Sequence, residues 1–295
     1  MIIHIGLPRT GTMTLRLRLF PWHSGIDYLG RRNGIAEVDD VVDTQILSQE
    51  TLQFDAPKAK RQLENVVARR QSDGRVPLIA TPGFTAGNQD RGIIAERLAY
   101  VCEGARIILV IRRQQDLLAS WYFHTLERSG ISESFEEWFR RGVSGSSPFV
   151  GGRHCFLYPL ATKYAALFGK DNVKVLVFEQ LVSDQRAFLE QLCSFMGIDP
   201  QEAIELCAGH HDNVRPTDVT VRFKALSARF PSARVARSLA PLTVRRFIRS
   251  RSRPAKVETV PSGVESWIQD VHAEDNRRLM TEWGLPLDDY GYVVD

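Results

Sequence analysis

Four short runs rich in branched apolar residues constrain this chain more than any other feature: IIHIG at 2 to 6, VPLIAT at 76 to 81, RIILVI at 106 to 111 and VKVLVF at 173 to 178. Runs of this length without polar alternation read as strands buried on both faces. Between and after them lie segments of helical pattern, over residues 12 to 20, 56 to 72, 90 to 102, about 115 to 129, 158 to 168 and 184 to 196. Parallel strands need crossovers of that size, usually helices. The alternation predicts an α/β fold in which a central, mostly parallel sheet is flanked by helices, with ligands beyond the carboxyl ends of its strands. Further along, Ser262-x-x-Glu265 has the form of a capping box, and Val264, Trp267, Ile268 and Val271 give the helix behind it one apolar face.

A chain of 295 residues is long for one domain, but α/β folds of this size commonly share one core, so a single domain over 1–295 is expected. No run reaches the length of a membrane span, and the first residues have neither the basic nor the apolar region of a secretory signal. A cytoplasmic location is expected. Cys102, Cys155, Cys193 and Cys207 form no CxxC pair and read as buried free thiols. The net charge of +3 is uneven, because residues 229 to 256 hold eight arginines and one lysine with no acid. Without those nine, 29 basic residues face 35 acidic ones, a net of −6. The basic segment, expected to be helical, suits a solvated helix face or an anionic membrane surface or lipid-linked acceptor at the inner face of a membrane. Its aromatics, Phe230 and Phe247, are too sparse to stack nucleic-acid bases, so no nucleic-acid partner is expected.

The function-bearing stretch is HIGLPRTGT, residues 4 to 12. Gly6 and Gly11 have the G-x4-G spacing of a P-loop between a strand and a helix, a position where backbone N–H groups and the helix dipole attract an anion. In a nucleoside triphosphatase, Lys and then Ser or Thr follow the second glycine, to reach the phosphates and magnesium. Here those places hold Thr12 and Met13, and the cation stands earlier, at Arg9. The strand RIILVI ends in Arg112-Arg113 rather than in the acid a magnesium site requires, which suits phosphate and repels a metal. Glu179 after VKVLVF keeps a metal reading open; otherwise no metal is expected.

PRTGT before a helix resembles the 5′-phosphosulfate loop of the sulfotransferases, P-[KR]-[ST]-G-T. IRRQQDLLAS resembles their 3′-phosphate motif, an apolar strand, an arginine, and a serine eight residues on, with Arg112 and Ser120 at those two places and Asp116 at the motif's usual acid. FPWHSGIDYLG (20 to 30), FGKDNVKVLVFEQLVSD (168 to 184) and the Cys193-x-Phe195-Met196-Gly197 segment are similar to bacterial members of that family. The resemblance covers roughly residues 2 to 200. It implies a P-loop NTPase-like three-layer sandwich and a donor, 3′-phosphoadenosine 5′-phosphosulfate (PAPS), leaving as 3′-phosphoadenosine 5′-phosphate (PAP). By the same resemblance Arg9, Thr10, Gly11, Thr12, Met13 and Thr14 wrap the 5′-phosphosulfate, Arg112 and Ser120 hold the 3′-phosphate, and Arg9 stabilises the leaving group. The implied acceptor is a hydroxyl, of a carbohydrate or glycolipid.

The acceptor hydroxyl also needs a general base. In bacterial relatives the segment matching ATPGFTAG (80 to 87) often carries a glutamate near its start, where this chain has Pro82. Asp27, Glu37, Asp90 and His124 are the remaining candidates, His124 standing one helical turn beyond Ser120. His4, in a strand, reads as a satisfied core or supporting residue, and Phe178, at a tyrosine position of the family, as core. Pro82 motivates the alternative of a nucleotide-binding protein that has lost transfer chemistry. A nucleoside kinase is the third reading.

Overall fold

In the computed structural model the described residues are 1–30, 38, 41–70, 74–86, 90–129, 133–144, 150–209 and 262–295. The basic segment 229 to 256 and Glu37 lie outside them. The four apolar runs form strands β1 (Ile2–His4), β3 (Val76–Ala80), β4 (Arg106–Ile111) and β5 (Val173–Val177). A further strand, β2 (Ile26–Tyr28), makes the edge of one parallel sheet of order β2-β3-β1-β4-β5. In register, Ile3 of β1 stands between Ile79 of β3 and Ile107 of β4, and Leu109 of β4 faces Val175 of β5.

Alternate residues of the strands feed two cores. Ile3, Ile107, Leu109 and Val175 point to one face, which is covered by α2 (Ala56–Arg70), α3 (Arg91–Val101) and α6 (Leu157–Phe168). Ile2, Ile108, Val110 and Leu176 point to the other, covered by α1 (12–19), α8 (Gln185–Met196) and α9 (Pro200–Cys207). The three layers are therefore helix, sheet, helix. Each fully buried Leu, Ile or Phe contributes roughly 1.5–3 kcal/mol of transfer free energy. Helix α1 opens at Thr12–Thr14 and continues with wider π-type winding over Leu15–Leu19, where Phe20 N donates to Leu15 O at 2.8 Å.

Two further helices, α4 (Gln114–Ser129) and α5 (Phe135–Ser144), share a smaller core with α10 (Ser262–Trp283) through Leu118, Trp138, Phe139, Val264 and Ile268. The apolar face of α10 is narrower than its sequence suggests, because Val271 is exposed. In its place, polar Asn276 turns inward and is fully buried. It accepts from Gln114 Nε2 at 2.6 Å and donates to Val293 O at 2.7 Å, so α10 fixes both the start of α4 and the segment that follows α10. The four cysteines are buried and none is in a disulfide among the described residues, as read from the sequence.

The predicted strand over 173 to 178 stops one residue early. Phe178 instead opens helix α7 (Phe178–Ser183), and Asp184 then caps α8 by accepting from Ala187 N. No helix among the described residues is long and apolar enough to cross a membrane.

Candidate functional site

The strand order decides where a site forms. From β1 the chain runs outward to β3 and β2 on one side, and β4 and β5 lie on the other, so the loops leaving the tips of β1 and β4 diverge and leave a crevice between them. The first loop carries Arg9; the second carries Arg112 and Arg113. Between them lies a cavity of about 650 Å³, lined also by Ser120 and Phe123 of α4, Phe178 and Glu179 of α7, and Tyr290 and Gly291. That volume suits a small-molecule ligand.

The loop after β1 is held by its own hydroxyls. Thr10 Oγ1 donates to Leu7 O at 2.5 Å, Thr12 Oγ1 donates to the same carbonyl at 3.3 Å, and Thr85 Oγ1 ties Gly6 O to the segment beyond β3 at 2.8 Å. Both glycines of the G-x4-G spacing have a geometric reason. A Cβ on Gly6 would meet His4 Cε1 at 2.5 Å, and one on Gly11 would meet Leu181 Cδ2 of α7 at 2.6 Å, at a φ of +74°. Arg9 adopts φ 72° as well, although it has a side chain. A left-handed conformation costs a non-glycine residue roughly 1–2 kcal/mol and persists only where the surroundings impose it. Here Arg112 Nη1 donates to Arg9 O at 2.7 Å, and Arg9 Nε donates to Ser120 Oγ at 2.7 Å.

Arg9, Arg112 and Ser120, 111 positions apart at the extremes, are thus in direct contact. Thr10, Gly11, Thr12 and Thr14 are buried at the base of the loop, whereas Met13 is exposed. The two arginines of the β4 tip divide their work. The Arg112 guanidinium lies 4.7 Å from the Phe178 ring centroid and lines the cavity. Arg113 is bound by Asp116 Oδ2, at 2.9 Å from Nε and 2.6 Å from Nη2, and donates from Nη1 to Tyr290 O at 3.3 Å.

Two of the acids that line the cavity, Asp116 and Glu179, are engaged in the same way. Asp116 is paired with Arg113. Glu179 accepts from Arg113 N at 3.1 Å and from Tyr292 Oη at 3.0 Å, and burial raises its pKa above the usual carboxylate range. Those bonds engage both carboxylate oxygens of Glu179, and among the described residues there is no group of three or more His, Cys, Asp or Glu suited to a metal ion. The face presented by Arg9 and Arg112 is therefore electropositive.

The base candidates are dispersed. His124 does not line the cavity; its ring packs edge-on against Trp121 at 5.6 Å. Asp27 is buried on β2 opposite Pro77, near the start of β3, and is paired with Arg70 Nη2 at 3.1 Å. Asp90 Oδ1 caps α3 by accepting from Gly92 N at 2.7 Å and Ile93 N at 3.2 Å. Pro82 opens the short helix Gly83–Ala86, its carbonyl accepting from Ala86 N at 2.9 Å. His4 differs from its sequence reading: it is buried in β1, but neither ring nitrogen has a hydrogen-bond partner among the described residues, and burial pushes its pKa down to about 3.

Sequence reasoning missed the far wall of the cavity. Phe178, read as core, borders it, and Asp289, Tyr290 and Gly291 close it from the segment after α10. That segment is tied by Arg113, by Gln115 Nε2 to Gly291 O at 3.3 Å, and by Arg277 to Val294 O at 3.0 Å. No periodicity or motif marks these residues.

The family profile described as "Sulfotransferase domain" matches residues 100–228, a stretch that contains β4, Arg112, Ser120 and α4 to α9. Over that stretch the chain is similar to the sulfotransferase domain family. The matched stretch leaves the loop at residues 6 to 14 outside it. Two curated relatives from Cavia porcellus align over 113 residues, a 3-beta-hydroxysteroid sulfotransferase at 27% identity and a 3-alpha-hydroxysteroid sulfotransferase at 28%. Each alignment covers 35% of this chain and 36% of the relative, so the chain spans about a third of the length of these sulfotransferases. A solved sulfotransferase from Alicyclobacillus acidocaldarius superposes with a TM-score of 0.50 at 17% identity, over 79% of this chain and 91% of its own. That likeness concerns the sulfotransferase fold.

Proposed function

We propose that this chain transfers the sulfuryl group of PAPS to an acceptor hydroxyl and releases PAP. The observation that supports it is the contact of Arg9, Arg112 and Ser120 across one cavity, which joins a 5′-phosphosulfate loop to a 3′-phosphate motif. The two arginines on one cavity suit a bisphosphate. The donor supplies the sulfuryl group and a bisphosphate leaving group. Sulfuryl transfer is physically akin to phosphoryl transfer, in which positioning and charge stabilisation provide most of the catalysis.

Arg9 is the proposed stabiliser of the leaving oxygen. Its guanidinium remains protonated, so it acts by charge and hydrogen bonding rather than by giving up a proton. Ser120 Oγ, which accepts from Arg9 Nε, sets the direction of that guanidinium. Arg112 acts on the 3′-phosphate and also braces the Arg9 carbonyl, so the two ends of the donor site are mechanically linked. The segment 289 to 291 closes the site from the side opposite the loop.

The acceptor we propose is a carbohydrate or glycolipid hydroxyl, with a steroid alcohol as the competitor, since the two curated relatives carry hydroxysteroid names. The test is transfer of radiolabelled sulfuryl from PAPS to a panel of hydroxylated sugars, glycolipids and steroids. Labelled product with any acceptor, lost in Arg9→Ala, supports the reading. Tight PAP binding with no transfer to any class would favour a nucleotide-binding protein without transfer chemistry.

A further inference from the structure

Outside the lining of the cavity, a group of polar side chains lies near Arg91, the first residue of α3. His154 is 2% exposed and stacks on Trp121 with ring centroids 4.8 Å apart and planes 4° from parallel. Trp121 directly follows Ser120, so consecutive residues of α4 face the donor cavity and this group. Tyr164 of α6 is fully buried. Among the described residues, no hydrogen bond reaches either ring nitrogen of His154, the Tyr164 hydroxyl, Trp121 Nε1 or Arg91 Nη1. A buried polar atom left so costs roughly 1–3 kcal/mol.

The charges make the arrangement more demanding. Arg91 and Arg153 each act on His154, whose pKa burial and these two cations hold down to about 3, and Arg153 with burial lowers that of Arg91. The carboxylate nearest in sequence, Asp90, is already accepting two backbone N–H groups. Two cations, a neutral imidazole, a phenol and an indole N–H are all able to donate. Asp90 also acts on Arg91 but is one carboxylate against two cations, so donors of that number call for a further acceptor that is an anion.

We propose that Arg91, Arg153, His154, Tyr164 and Trp121 form a second oxyanion site, which takes a carboxylate, sulfate or phosphate group carried by the acceptor molecule. The oxyanion site stands on the geometry of this group; its assignment to the acceptor rests on the sulfotransfer reading. An acidic acceptor held here would present its hydroxyl toward the donor cavity around α4. Selectivity would follow from loss: a neutral acceptor leaves the two arginines with the Asp90 carboxylate as the counter-charge acting on Arg91.

The test is calorimetric titration of the full chain, with and without saturating PAP, using three probes: sodium sulfate, 4-hydroxyphenylacetate and its neutral amide. The carboxylate is expected to bind at least tenfold more tightly than the amide and to compete with sulfate. Arg91→Met and Arg153→Met should each weaken the carboxylate at least tenfold, leave the amide unaffected and hold PAP affinity within twofold, which also shows that the variants fold. Arg91→Lys, which keeps the charge, should retain part of the affinity. Equal binding of carboxylate and amide, or full carboxylate affinity in both Met variants, overturns the proposal. Sulfate binding without carboxylate binding overturns the assignment to the acceptor. Failure of PAP to bind counts against the donor reading alone, because sulfate still reports on the second site.

Discussion

Acidification should destabilise this fold in part through two buried histidines. His4 and His154 are 0% and 2% exposed, and burial, with the field of Arg16 on His4 and of Arg91 and Arg153 on His154, holds both pKa values near 3 against 6.5 for a free imidazole. Both are therefore neutral in the folded chain and protonate in the unfolded chain below the free value. Between those limits the unfolded state binds more protons, so stability is fully present above pH 6.5 and is lost as pH falls toward 3. Each pH unit inside the window removes about 1.4 kcal/mol per histidine, or about 2 kcal/mol each between pH 7.5 and pH 5. The assay is urea unfolding at both pH values on wild type, His4→Asn and His154→Asn. Each variant should lose about 2 kcal/mol less than wild type over that interval, a difference from which the carboxylates cancel. Identical pH dependence in all three proteins, or histidine titration near 6.5 by NMR, would refute the argument.

Other perturbations follow from the same geometry. Gly11→Ala adds a Cβ 2.6 Å from Leu181 Cδ2 at a φ of +74°, so it should cost about 2–4 kcal/mol of stability, read by thermal unfolding, and weaken PAP binding. Arg9→Ala should lower kcat for sulfuryl transfer by about 10²–10³ with a smaller effect on KM, whereas Arg9→Lys should keep more of the rate. Asn276→Leu leaves buried Gln114 and the Val293 carbonyl without their partner, so it should cost about 1–3 kcal/mol and loosen the segment 288 to 294, read by hydrogen exchange.

What the sequence disclosed was set by how local each signal is. Four strands were legible because an apolar run such as RIILVI has no other stable place than the middle of a parallel sheet, and α1 was legible because a glycine loop precedes it. Edge strand β2 was not: three residues, one of them Asp27 paired with Arg70, give no period to read. The last strand was read one residue too long because the apolar run VKVLVF continues through the point where the backbone turns from strand to helix. The sequence assigned Arg9 and Ser120 to two ends of one donor, and their direct contact at 2.7 Å was not legible in it. Tyr290, Gly291 and the group around His154 reach their sites only through tertiary packing, against Arg113 in the first case and Trp121 in the second.

The central claim is a bisphosphate site braced by Arg112, and calorimetric titration of the chain with PAP, beside magnesium-ATP, on wild type and Arg112→Ala tests it most directly. The account predicts PAP binding that Arg112→Ala weakens at least tenfold, about 1.4 kcal/mol or more, because both the 3′-phosphate contact and the brace on the Arg9 carbonyl are lost. Absence of PAP binding, or a preference for magnesium-ATP, would contradict it.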